Sequence, residues 1–154
     1  HLVELDGSTM YLGCGTHAMV IGAQHDDDWR LPQIRARWPW LPDTALDTFL
    51  PPALDLDVLH AVAIDKGCYP GQEIVARLHY RGGHKQHLHR VALSQPVAPG
   101  TRLRDGDHEM ALLDIAAVDD HAEALAVMHD EHARMLGHTA TVIADVTVRI
   151  IDTR

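Results

Sequence analysis

The spacing of apolar residues changes character along the chain. Up to residue 22 the apolar runs are short and broken by turn residues. Asp6-Gly7-Ser8 marks a turn, Met10-Tyr11-Leu12 follows it, and His17 to Ile21 alternates weakly, so two or three short strands are predicted. The acidic run Asp26-Asp27-Asp28 suits a helix N-terminus, and Pro32 is tolerated there only in a first turn, which predicts a short helix over Leu31–Arg37. Residues 38–57 carry Pro39, Pro42, Pro51 and Pro52 and read as an ordered loop that wraps a surface, with one helical turn over Thr44 to Leu50. Leu56, Leu59 and Val62 keep helical spacing, so 55–61 reads as a short helix, and Ala61-Val62-Ala63-Ile64 as a strand. Glu73 to Arg81 is helical by the spacing of Ile74 and Leu78. Glu73 precedes Arg77 by four, the favourable order for an ion pair, and Gly82-Gly83 supplies the stop.

From residue 86 the pattern turns to strands. Leu88 to Leu93 alternates, Pro99-Gly100 and Asp105-Gly106 mark turns, and Met110 to Val118, Ala122 to Met128 and Thr139 to Ile151 are strand-compatible runs. The alanine-rich run near 122 is equally compatible with a helix. Several short strands with regular turns suggest a small barrel or sandwich. A boundary falls near 83–87, giving units 1–85 and 86–154.

Composition narrows the function. The chain has 154 residues, 46% of them hydrophobic, and a formal charge of −9. That acidity argues against a broad nucleic-acid-binding surface, although it leaves room for a local basic patch around Arg77, Arg81 and Lys85. Two cysteines, Cys14 and Cys68, make no disulfide framework. With no signal peptide or membrane-length apolar run, a cytoplasmic location without membrane contact is expected. The first residue is His1 rather than Met, and the opening reads as mid-domain strand, so a longer parent protein is expected. Thirteen histidines read as surface composition.

The densest chemistry is Lys66-Gly67-Cys68-Tyr69-Pro70-Gly71-Gln72-Glu73. A thiol two residues from an ammonium, just ahead of a helix, is expected to ionise readily. In an extended segment residues i and i+2 share a side, so Lys66 and Cys68 could address one ligand. Gly67 and Gly71 permit unusual backbone and close ligand approach. Gln72 and Glu73 present an amide and a carboxylate at the helix start, and Tyr69 and Tyr80 offer flat faces. With Arg77, Arg81 and Lys85 nearby, the set suits a flat heterocycle bearing carboxylates. Taken alone, a free cysteine more often ends as a small buried hydrophobe. Four polar functions buried together without purpose would be costly.

The octapeptide resembles the signature of the folate-binding YgfZ family, relatives of the glycine cleavage T-protein. That signature is roughly K-G-C-[YF]-x-G-Q-E-x-x-x-R, then an aromatic-R-G stretch and a lysine. The chain supplies Lys66 through Glu73, Arg77, Tyr80-Arg81-Gly82 and Lys85. Upstream, Ile34-Arg35-Ala36-Arg37-Trp38-Pro39-Trp40 is similar to the family's I-R-A-G-x-P segment. Phe49-Leu50-Pro51 with Leu54-Asp55-Leu56-Asp57 is similar to its F-x-P-Q-x-L-N-L stretch. Departures are Arg37 for glycine, Pro52 and Asp55 for glutamine and asparagine, Gln86 for a second basic residue, and the crowd His79, His84, His87 and His89.

The resemblance implies an α+β fold: the later part of a T-protein-like folate-binding core over 1–85, then a small C-terminal antiparallel β-barrel over 86–154. It implies a protein that binds tetrahydrofolate and supports assembly or repair of iron–sulfur enzymes, including a tRNA methylthiotransferase. Cys68 and Lys66 would be the working residues. Gly67, Tyr69, Gly71, Gln72, Glu73, Arg77, Tyr80, Arg81 and Lys85 would hold the folate. Whether a reaction is catalysed stays open. A folate-dependent aminomethyltransferase is the alternative. A metal module on His79, His84, His87 and His89 is a third reading, but these spacings match no familiar zinc pattern, and no metal is expected. Trp29, Trp38 and Trp40 read as packing residues, Cys14 as core, Asp119-Asp120 as a turn, and His129 with His132 as a solvated turn.

Overall fold

The computed structural model describes residues 3–6, 9–13, 18–22, 29–81 and 83–152. The first strands are β1 (Val3–Asp6), β2 (Thr9–Gly13) and β3 (Ala18–Ile21), an antiparallel sheet in the order β1-β2-β3. Gly7, Ser8, Cys14, His17, the acidic run 26–28 and Gly82 lie outside the described residues.

The second sheet has six strands: β4 (Gln86–Leu93), β5 (Arg102–Asp105), β6 (His108–Val118), β7 (His121–His129), β8 (Thr141–Ile143) and β9 (Val146–Asp152). Every pairing is antiparallel and the order is β5-β6-β7-β4-β9-β8. The edge strands β5 and β8 approach one another, so the sheet curls into a nearly closed barrel. The alanine-rich run resolves as strand because β4 and β6 give it ladder partners on both sides, and tertiary context outweighs helix propensity there. Its small side chains Ala122, Ala124 and Ala126 face a narrow interior with Val91, Leu93, Met110, Leu112, Ile115, Met128, Val148 and Ile150.

The central strands are buried on both faces, which is why β4 does not show clean alternation in burial. Leu88, Leu113, Leu125 and Val127 point outward into a second cluster with Ile34, Ala45, Ala53 and Leu54. Those partners belong to the proline-bearing segment, which does wrap a surface: the outer face of the barrel. It comprises helix α1 (Arg30–Arg35) and two 3₁₀ turns at Asp43–Ala45 and Pro51–Leu54. A β-bulge between Leu112 and Asp114 switches which face successive β6 residues address, so Leu112 and Ile115 point inward and Leu113 outward.

An ion-pair chain reinforces this seam. Arg35 binds Glu123 at 2.6 Å, Arg90 lies 4.0 Å from Glu123 and 3.3 Å from Asp152, and Arg37 reaches both Asp152 and Asp55 at 3.1 Å. Arg37 also donates to the Leu88 carbonyl.

Three sequence readings need correction. Residues 55–61 form turns, not a helix, because Asp55 and His60 adopt left-handed φ values of 51° and 55°. Ala61 to Ile64 is not a strand; among the described residues no neighbouring segment offers it a ladder. His129 and His132 are not a solvated turn. They open helix α3 (Asp130–Leu136, numbered after α2 below), whose buried face includes His132, Ala133 and Leu136. Among the described residues, no helix is long and apolar enough to cross a membrane.

Candidate functional site

Helix α2 (Gln72–Arg81) follows the motif directly. Gly71 takes φ 85°, a conformation that favours glycine, and its carbonyl accepts from Ile74 and Val75, starting the helix. The Tyr69 carbonyl accepts from the Gln72 amide at 3.1 Å. The Gln72 side chain folds back and donates to the carbonyls of Lys66 (3.3 Å) and Ile64 (3.4 Å). This amide is therefore committed to the loop, a shaping role that residue type alone did not reveal. Gly83 ends the helix with φ 72°, its amide donating to Leu78.

Cys68 is exposed, four residues ahead of α2. Lys66 and Gly67 are also exposed but lie in bends, so the extended-strand argument that aligned Lys66 with Cys68 does not hold. Lys66 lines a cleft of 520 Å³ together with Tyr80, His79, His60, Asp57 and Asp65. Cys68 lines neither this cleft nor the neighbouring one of 200 Å³, where Val75, Leu78, His79, His84 and His87 meet. Tyr69 is half-buried and its hydroxyl is buried without a hydrogen-bond partner among the described residues. Glu73, Arg77, Arg81 and Lys85 are exposed, and Glu73 and Arg77 form no ion pair among the described residues. The Lys85 carbonyl accepts from the Asp130 amide at 2.8 Å, tying the end of the motif region to α3.

Sequence reasoning did not anticipate His60, Asp57 and Val62 as cleft residues. The left-handed turn at His60 is what brings this segment back against α2, and a lone histidine carries no such signal. His87 contacts Asp130 at 2.8 Å and His89 lies 3.6 Å from it. Burial pushes the His89 imidazole down to about 4 against the pull of Asp130, with Arg37 and His87 adding to the depression. Away from the clefts, the hydrogen bond from Arg35 holds the Glu123 carboxyl below its ordinary range, and burial raises that of Asp114. Among the described residues, no group of three or more His, Cys, Asp or Glu side chains is placed to hold a metal ion. The tryptophans are not packed away: Trp29, Trp38 and Trp40 are 38%, 49% and 61% exposed, with Trp29 and Trp40 in edge contact.

No protein-family model matches the chain. Curated relatives do. The chain is 38% identical over 63 residues to the tRNA-modifying protein YgfZ of Blochmanniella pennsylvanica, covering 41% of this chain and 19% of the relative. It is 36% identical over 98 residues to that of Sodalis glossinidius, covering 60% and 30%. To that of Vibrio vulnificus strain CMCP6 it is 41% identical over 76 residues, covering 49% and 24%. Over the matched residues the chain is similar to YgfZ proteins. It spans less than a third of the length of these relatives.

Two departures from the YgfZ signature now have a structural reading. Arg37 stands where glycine is usual, and its φ is 59°. The fold keeps the left-handed turn that glycine would adopt freely, and Arg37 offsets the strain with its two carboxylates and a carbonyl. Asp55 replaces asparagine at φ 51°, and both residue types tolerate that region.

Proposed function

We propose that this chain belongs to a YgfZ-family protein that binds a folate and supports tRNA modification through assembly or repair of iron–sulfur enzymes, with Cys68 as the working thiol. The observation that carries this reading is the exposed sulfur of Cys68 on the short loop between the Lys66 cleft and α2. A thiol so placed can reach a partner, whereas a core cysteine cannot.

The cleft beside it suits a folate. Its volume falls within the range of ligand pockets, about 300–1,000 Å³. The Lys66 ammonium supplies a counter-charge for a carboxylate, and Asp65 an acceptor for ring amines. A bound folate would supply one-carbon or pterin chemistry there. Gln72 fixes the loop that carries Lys66 toward the cleft.

The test uses the full-length protein. Cys68→Ala should abolish rescue of a methylthiolated-tRNA defect, read by nucleoside mass spectrometry, while leaving the fold intact. Normal rescue would remove the thiol from the account. Lys66→Ala should weaken tetrahydrofolate binding about tenfold or more, the scale of a charge-assisted hydrogen bond. Turnover of methylene-tetrahydrofolate with an aminomethyl donor, unaffected by Cys68→Ala, would favour the transferase instead.

A further inference from the structure

Among the described residues, half of the cations have a carboxylate partner and half do not. Arg30, Arg35, Arg37, Arg90, Arg102 and Arg104 each have a carboxylate partner. Among the described residues the cations without one are Lys66, Arg77, Arg81, Lys85, Arg134 and Arg149, and the first four fall within one stretch of chain. Residues 66–85 hold four cations and one carboxylate, a charge of 4 − 1 = +3, while the remainder carries 9 − 21 = −12.

Helical periodicity puts Glu73, Arg77, Tyr80 and Arg81 on one side of α2, within roughly 100° of arc. Arg77 and Arg81 are one turn apart, about 6 Å along the axis. Tyr80 is 75% exposed, in edge contact with His79 at a centroid distance of 5.0 Å. Arg77, Arg81 and Lys85 line neither cleft. A ligand confined to the Lys66 cleft therefore leaves three cations beyond its rim unused.

The geometry points to a docking surface for single-stranded RNA on the solvent face of α2, with phosphates on Arg77, Arg81 and Lys85 and an unstacked base on Tyr80. A cationic track beside a bare aromatic ring is the chemistry that holds single strands, since every base has a face to stack. The acidity of the remaining surface confines binding to this strip and repels the polyanion elsewhere. An acidic peptide would match the charge but has no use for the flat face of Tyr80. The assignment deepens the proposed role in tRNA modification, on which it rests, by giving that role a direct hold on RNA.

The test is fluorescence anisotropy of a labelled 12-nucleotide single-stranded RNA titrated with the full-length protein, without folate. Binding should weaken with salt, and the slope of log K against log salt should fall in magnitude by about 1.4 in Arg77→Ala/Arg81→Ala, or about 0.7 for each phosphate no longer neutralised. Tyr80→Ala should weaken binding about tenfold and Tyr80→Phe should not. All three sites are exposed, so the variants keep the fold. Absence of binding at low salt, an unchanged slope in the double variant, or equal displacement by poly-glutamate and unlabelled RNA would each overturn the assignment. Tetrahydrofolate binding is read in a separate titration, so failure of either reading is seen without the other.

Discussion

Arg37 shows how one residue can hold a strained backbone in place. Its φ of 59° costs about 1 kcal/mol for a side chain with a β-carbon, and its guanidinium joins Asp55 and Asp152 across the seam. Arg37→Ala keeps the strain and loses the pairs, so a loss of about 2–3 kcal/mol is expected. Arg37→Gly loses the same pairs but relaxes the backbone, and should cost about 1 kcal/mol less. Urea midpoints of the two variants decide it: equal losses would mean the turn is unstrained. In the sequence, Arg37 was visible only as a departure from the family glycine. Its geometry was not legible, because a left-handed arginine has no spacing or composition signal. Cys68 differs in kind. Its neighbours were readable as a loop-to-helix passage, but whether the sulfur faced solvent depended on the fold.

Among the elements, β4 was legible as strand and misleading in its faces. Its alternation suggested one wet side, whereas the wrapping segment covers the Leu88 side and Asp130 of α3 meets His87 and His89, which are buried too. The long apolar run of β6 was readable as strand, whereas that of β7 stayed open between strand and helix because only its ladder partners β4 and β6 decide it. Short pieces such as 55–61 were not readable, since two left-handed residues decide their path. The burial of His89 sets an acid limit. The unfolded imidazole takes up its proton near 6.5 and the folded one near 4, so the unfolded state binds more protons between those values. Stability contributed by neutral His89 is full above 6.5 and is lost as pH falls through 4. Glu123 and Glu109, held low by Arg35 and by Arg102 with Arg104, lose stability as pH falls through the carboxylate range, while Asp114 opposes them by favouring its protonated form. Denaturation at pH 7 and pH 5 should show a marked drop for the natural chain and a smaller one for His89→Gln. Equal drops would clear His89 of the effect.

For the molecule as a whole, the change of pattern at residue 86 is real as secondary structure, since β4 begins there. Packing does not stop at that residue. The outer cluster joins Leu88, Leu113, Leu125 and Val127 to Ile34, Ala53 and Leu54. Residues 86–154 expressed alone should expose that apolar face, bind a hydrophobic dye and aggregate, whereas 29–154 should unfold cooperatively. A well-behaved 86–154 fragment would show that the wrap is dispensable. Linear reading misses this because packing between distant segments leaves no mark on local periodicity.

The wrap also meets the barrel at Gly100, whose φ is 84° and whose missing side chain makes room for Thr44. A methyl group at that point would collide with the Thr44 hydroxyl. Turning the hydroxyl aside would not relieve the backbone. The two positions are thereby yoked in descent: a lineage that enlarges one must remodel the other, and their paired variation among relatives would record which barrels still wear the strap.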